Sequence, residues 1–171
     1  MAQKIAFKNV WQQNDMKVQQ DAIAAWNAAG AVSGAFDPQK RVKELCVVGY
    51  EGDELVAIST AHLRYLTAVR ETMALFRVFV AAGHRQKGLV IPLTYATHEA
   101  ISAYAVAHPK LRIGGTAGIV SVHGTMDKPV TNAEMVLVGY TPNNDPLVVR
   151  WFDHFKLDEE AARARSPKSA R

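Results

Sequence analysis

An apolar run with a single charge, Thr72 to Val80 (TMALFRVFV), leads through the polar stretch AAGHRQKG into LVIPLTYATHEAISAYAVAH. Apolar residues on both parities, Arg77 excepted, predict a central strand covered on both faces. In the segment that follows, Leu93, Ala96, Ala100, Tyr104 and Ala107 recur at helical spacing. Pro92 falls in its first turn, where a missing N–H costs nothing, and Pro109 stops it. A strand that enters a helix through such a loop leaves the first helical amides without partners. The helix dipole adds about half a positive charge at the same place. The combination is an anion site suited to a phosphate or diphosphate. Gly88 lets the backbone approach a phosphate oxygen with no Cβ in the way, and Arg85 and Lys87 add positive charge. The loop lacks the Gly-Lys-Ser/Thr ending of a nucleotide-triphosphate loop. Gly83 and Gly88 are five apart with no third glycine, so it is not a dinucleotide fingerprint either. The plain alternative is a strand-to-helix turn with surface charges.

The flanking segments build a mixed helix–sheet domain around this unit. Asp15 to Ala29 (DMKVQQDAIAAWNAA) reads as a helix, capped by Asn14 or Asp15 and closed by Gly30. Met16, Ile23 and Trp26 fall near one face and are expected in the core. ELCVVGY and ELVAISTAHLRYL, joined by EGD, read as a β-hairpin, with Cys46 inert inside its first strand. KLRIGGTA reads as another strand, in which Gly114 and Gly115 signal either a close backbone approach or a bulge. GIVSVHGTM is either its continuation or a short helix. EMVLVGYT and PLVVRWFDHF are closing strands around the turn signal PNND. The fold class is therefore α/β or α+β, a sheet with helices packed on it.

A chain of 171 residues with 49% hydrophobic and 21% charged residues suits one domain. Its single cysteine excludes a disulfide framework and a multi-Cys zinc site, and no two histidines stand at helical ligand spacing, so no metal is expected. The net charge of +4 is a property of the C-terminus. Arg163, Arg165, Lys168 and Arg171 lie in the last eleven residues, and without them the 20 basic residues fall to 16, equal to the 16 acidic ones. We expect a domain over residues 1–157 and a basic, disordered tail over 158–171. No RNA-binding or zinc-finger signature accompanies the tail, which argues against nucleic acid as a partner. No apolar run reaches the ~18 residues of a membrane span, and the start lacks a signal-peptide core, so the expected setting is cytoplasmic with no membrane partner.

VFVAAGHRQKGLVIPLTYATHEAI resembles the acyl-CoA-binding motif of the GNAT superfamily of acetyltransferases. The family pattern Arg/Gln-x-x-Gly-x-Gly/Ala falls on Arg85, Gln86, Lys87, Gly88, Leu89 and Val90, with Leu93 as the apolar helix residue and Val80 as the last strand residue. Val90 stands where the family has Gly or Ala, and Ala82 where it often has Pro. Element order agrees over residues 5 to 157. The resemblance implies a mixed, mostly antiparallel sheet of six or seven strands flanked by helices. It also implies acetyl-CoA as co-substrate, with the diphosphate in the loop and the pantetheine arm along Val78, Phe79 and Val80, and RIGGTA as the facing strand.

The activity so implied is transfer of an acetyl group to a primary amine on a small molecule or peptide. The family's acidic Tyr maps near Val122, which leaves His123 and Tyr140 as candidates to protonate the leaving thiolate. The family's basic Glu maps to Ala74, which leaves Glu71 and Glu134 as candidates to take the amine proton. Relatives often pair as dimers through late strands, where this chain has Trp151 and Phe155. A second reading from another class is a non-catalytic module on the same scaffold, binding a protein or nucleic acid through its closing strands or tail.

Overall fold

The computed structural model describes residues 5–31, 37–120 and 129–157. Seven strands form one sheet: β1 (Ala6–Asn9), β2 (Leu45–Glu51), β3 (Glu54–Leu66), β4 (Glu71–Val80), β5 (Ile113–Ile119), β6 (Val136–Tyr140) and β7 (Pro146–Trp151), in the order β1-β2-β3-β4-β5-β7-β6. Every pairing is antiparallel except β4 with β5. That exception follows from the helix between them, because a parallel neighbour requires a crossover. The α-helices are α1 (Met16–Ala28), the single turn α2 (Pro38–Arg41) and α3 (Val90–Ala107). The mixed, mostly antiparallel sheet agrees with the expected fold class.

Period-two alternation sorts the core into two layers. Val48 on β2 and Ile58 on β3 pack with Val18, Ala22 and Trp26 of α1 on one face. Their neighbours Val47 and Ala57 join Ala74, Phe76, Leu93 and Ile101 under α3 on the other. A third cluster, Leu66, Met73, Leu75, Ala117 and Val149, lies across β4, β5 and β7. α3 is further tied down by a buried hydroxyl relay. Thr97 donates to Ser59 at 2.7 Å, and Ser59 accepts from the Val47 amide at 3.0 Å, where β2 is bulged.

Asp15 caps α1, accepting from the amides of Lys17 and Val18. The buried stripe of α1 is Val18, Ala22 and Trp26, spaced by four. Met16, expected in the core, is 62% exposed. Two positions before Val18, it sits about 200° round the helix from that stripe. β1 was absent from the sequence reading. It is four residues long and largely exposed, and pairing with β2 makes it a strand. Gly118 and Ile119 continue β5, which settles the first part of GIVSVHGTM as strand; the rest lies outside the described residues. Among the described residues no helix is long and apolar enough to cross a membrane.

Candidate active site

The site is built where β4 loses one of its neighbours. Its parallel pairing with β5 runs from Thr72 to Leu75 and stops, whereas its pairing with β3 continues to Val80. Among the described residues β5 goes on to Ile119 paired with β7 only. The two central strands therefore part beyond Leu75 into a V-shaped gap. The Ala81 amide donates to the Val56 carbonyl at 2.9 Å. Because bonding alternates along an antiparallel ladder, Arg77 and Phe79 bond β3, and Phe76, Val78 and Val80 turn their amides and carbonyls towards the gap. Arg85 Nε lies 3.4 Å from the Val80 carbonyl oxygen and donates to it. The expectation of a strand covered throughout holds from Met73 to Phe76, but Arg77 and Val78 are exposed. Coverage ends where β5 leaves.

β4 ends in a 3₁₀ turn, Ala82–Lys87, followed by Gly88 at φ +67° and then α3. A Cβ on Gly88 would touch nothing within 4 Å, so glycine is required by the left-handed backbone rather than by space. No side chain caps α3. Among the described residues the amides of Gly88, Leu89, Val90 and Ile91 find no backbone acceptor; the first bond of the helix is Leu93 N to Leu89 O at 3.0 Å. Pro92 has no N–H to add. Buried Leu89 anchors the turn in the core, while Arg85, Gln86, Lys87, Gly88 and Val90 are exposed.

The loop is held from below by a residue the sequence reading missed. Glu51, at the end of β2, accepts from Lys87 Nζ at 2.8 and 3.0 Å and lies 2.7 Å from His84 Nε2. Hydrogen bonds from Lys87 and then His84 hold the Glu51 carboxyl below its ordinary pKa. Lys87, expected to add free positive charge to the anion site, is thus partly neutralised. The His84 ring is buried beneath the turn. Nothing local signals this contact, because 36 residues separate Lys87 from Glu51.

The strand facing the gap carries both glycines. A Cβ on Gly115 would come within 2.1 Å of the Arg150 carbonyl oxygen, and one on Gly114 within 2.9 Å of the Trp151 ring. The β4–β5 register also shifts beside Gly114. Close approach and bulge are both present. On the α3 side, His98 Nδ1 lies 2.9 Å from Thr116 Oγ1, and the Arg150 guanidinium stands 4.8 Å from the Tyr95 ring centroid. Burial, helped by Arg150, pushes the His98 pKa down to about 4. His98 is thus a neutral imidazole bridging α3 and β5.

The catalytic candidates are not gathered at the gap. Glu71 is buried at the start of β4, 3.8 Å from Arg112. That is five residues before Phe76, where the gap opens, or about 16 Å at ~3.3 Å per residue. Glu134 is mostly exposed and pairs with Arg150 at 2.7 Å. Tyr140 is 58% exposed on β6, the outermost strand on the far side of β7 and β5. His123 lies outside the described residues, as do the tail residues 158–171.

No protein-family model matches the sequence, and comparison with curated proteins finds no match. Solved structures do match. An acetyltransferase of the GNAT family from Streptococcus pneumoniae superposes with a TM-score of 0.52 at 10% identity, over 85% of this chain and 96% of that one. A GNAT-family acetyltransferase from Listeria monocytogenes gives 0.53 at 11% identity, over 86% and 95%. The protein therefore has the GNAT fold.

Proposed function

We propose that this protein transfers an acetyl group from acetyl-CoA to a primary amine. The observation that carries the proposal is the edge of β4 from Phe76 to Val80, unpaired among the described residues, which ends beside amides of Gly88, Leu89, Val90 and Ile91 that find no backbone acceptor there. An extended arm bearing amides can pair with the first, and a diphosphate can be held by the second. Acetyl-CoA combines both groups in one molecule. The donor set fits it: main-chain N–H groups for phosphate oxygens, and an exposed strand edge for the pantetheine amides.

On this reading Val78 and Val80 offer main-chain bonds to the arm, and Phe79 flanks it. Arg85, Gln86, Lys87, Gly88, Leu89 and Val90 form the diphosphate cradle, with Arg85 bridging loop and strand through the Val80 carbonyl. Lys87 contributes its backbone and holds the turn on Glu51.

The reaction forms a bond from the amine nitrogen to the thioester carbonyl carbon and breaks the carbon–sulfur bond. The amide product and the thiol form of CoA leave, with the amine proton passing ultimately to sulfur or to solvent. A main-chain N–H facing the gap polarises the carbonyl as negative charge develops on its oxygen. An alkylamine has a pKa near 10.4, so only about one in 10³ is neutral at pH 7, and the attacking form must be generated in the site. Water in the open gap is a direct acceptor for that proton. Of the four candidates, Glu134 is engaged by Arg150 at 2.7 Å, and Glu71 is buried at the start of β4, before the gap opens. His123 stays as a candidate for protonating the thiolate, while β7 and β5 stand between Tyr140 and the gap.

The test is release of free thiol from acetyl-CoA across a panel of primary amines. Amine-dependent release supports acyl transfer. No release with any amine, together with no acetyl-CoA binding at millimolar concentration, would rule it out.

A further inference from the structure

A cleft of about 150 Å³ opens on the α1 face of the sheet, where β4 borders the gap. Trp26, Ile58 and Phe79 give it apolar walls, Thr60, Arg41 and Arg77 give it polar ones, and Ala31 and, on the open strand edge, Val78 also line it. Val78 is also a residue whose main chain faces the gap. The cleft therefore adjoins the place to which a thioester held along β4 would be delivered.

Arg77 and Arg41, both in the lining, share the Glu44 carboxylate. Arg77 is half exposed, and the carboxylate oxygen that reaches it, Glu44 Oε2, stands 3.8 Å from its Nη1. That distance is too long for a hydrogen bond. The same carboxylate is shared with Arg41 at 3.4 Å and with His62 at 3.8 Å. Burial and the neighbouring Arg41 guanidinium, assisted by Arg64, lower the Arg77 pKa against the pull of Glu44. Burial also lowers the His62 pKa, and Arg77, Arg41 and Arg64 act in the same direction, so His62 adds no compensating group of its own. Arg77 therefore lines the cleft with its guanidinium held by no hydrogen bond to the carboxylate that it shares with Arg41.

Resting on the acyl-transfer reading above, we propose that this cleft takes the acceptor amine, and that the acceptor carries a carboxylate on an apolar body, as an apolar α-amino acid does. The guanidinium of Arg77 presents a planar fork of donors that matches a carboxylate in two-point contact. Trp26, Ile58 and Phe79 surround the apolar body. A plain cationic amine has no carboxylate to offer Arg77 and is repelled by its guanidinium. With the carboxylate on Arg77, the α-nitrogen, two bonds from the carboxylate carbon, would reach toward Val78 on the β4 edge.

Matched acceptors test this. Phenylalanine and 2-phenylethylamine differ only by the carboxylate. Acetyl-CoA affinity is first measured by titration, and kcat/KM for each amine is then read from thiol release with the full chain. The expected result is a preference for phenylalanine of roughly tenfold or more, which Arg77→Gln lowers toward unity through KM and Arg77→Lys retains in part. Equal use of the two amines, or preference for 2-phenylethylamine, overturns the assignment of the acceptor and leaves acyl transfer standing. Release with neither amine, despite measured acetyl-CoA binding, also overturns it. Absence of acetyl-CoA binding instead removes the acyl-transfer reading. Direct phenylalanine binding then decides the cleft: loss of binding in Arg77→Gln supports it, and equal binding by the two proteins overturns it. Thermal melts of both Arg77 variants exclude misfolding as the cause.

Discussion

Glu51 at the end of β2 and Lys87 at the end of the 3₁₀ turn meet at 2.8 Å, and through this contact the β2–β3 hairpin carries the loop that precedes α3. His84 reaches the same carboxylate from inside the turn. One acidic side chain thus sets the height of the loop above the sheet. It also takes up charge that would otherwise stand beside a bound diphosphate.

Replacing Glu51 with Gln removes the ionic part of both contacts and keeps the shape. We expect acetyl-CoA affinity to fall several-fold by calorimetric titration, with the fold retained. The pH dependence has a definite sign. The folded carboxyl is held below its ordinary value of 4.5, so the tether is fully present at neutral pH and is lost as pH falls through the depressed pKa. Affinity in the wild type that is flat from pH 8 to 5 and falls below that range agrees. A fall between pH 8 and 6 would assign the dependence to another group.

Gly88 separates backbone strain from ligand contact. At φ +67° with nothing within 4 Å of its Cβ site, Gly88→Ala costs about 1–2 kcal/mol for the left-handed conformation alone. Gly88→Glu adds a carboxylate beside the unbonded amides. It should abolish acetyl-CoA binding while the protein remains folded by circular dichroism. Unchanged affinity in Gly88→Glu would remove the loop from the diphosphate site.

His98 predicts an acid-side loss of stability. Its folded pKa lies at about 4, below the ~6.5 of an unfolded histidine. The unfolded chain therefore takes up this proton first, and the stabilisation present above pH 6.5 drains away as pH falls from 6.5 towards 4. Proton NMR should show the His98 imidazole neutral at pH 5.5. A titration midpoint near 6.5 for that ring would contradict the buried contact with Thr116.

Cys46 is the sole cysteine and is fully buried, with burial raising its thiol pKa to about 12. A thiol reagent at pH 8 should leave the native protein unlabelled and modify one group after denaturation. Labelling of the native protein at the rate of free cysteine would show that β2 opens. The same inertness makes thiol release from acetyl-CoA a clean readout.

Much of the frame was legible because local chemistry wrote it. Asp15 caps α1, Gly52 turns the hairpin with φ +61°, and Pro92 sits in the first turn of α3 where it displaces no bond. The loop residues from Arg85 to Val90 lie together because they are consecutive. What escaped was non-local. Glu51 meets His84 across 33 residues, and Met16 leaves the core because four-residue spacing from Trp26 selects Val18 instead. β1 carries too little pattern in four residues to be read without its partner. The catalytic candidates rest on residue type near a family position, which carries no information on distance. The sheet order then puts β7 and β5 between Tyr140 and the gap, and the length of β4 between Glu71 and Val80.

The central claim is that a diphosphate is held by the amides ahead of Pro92 and that its arm lies along β4. Backbone amide NMR during titration with acetyl-CoA reads both at once. The expected result is large saturable shifts at Gly88, Leu89, Val90 and Ile91, continuing through Val78 and Val80. Shifts confined to other surfaces, or no shifts at millimolar acetyl-CoA, would contradict it.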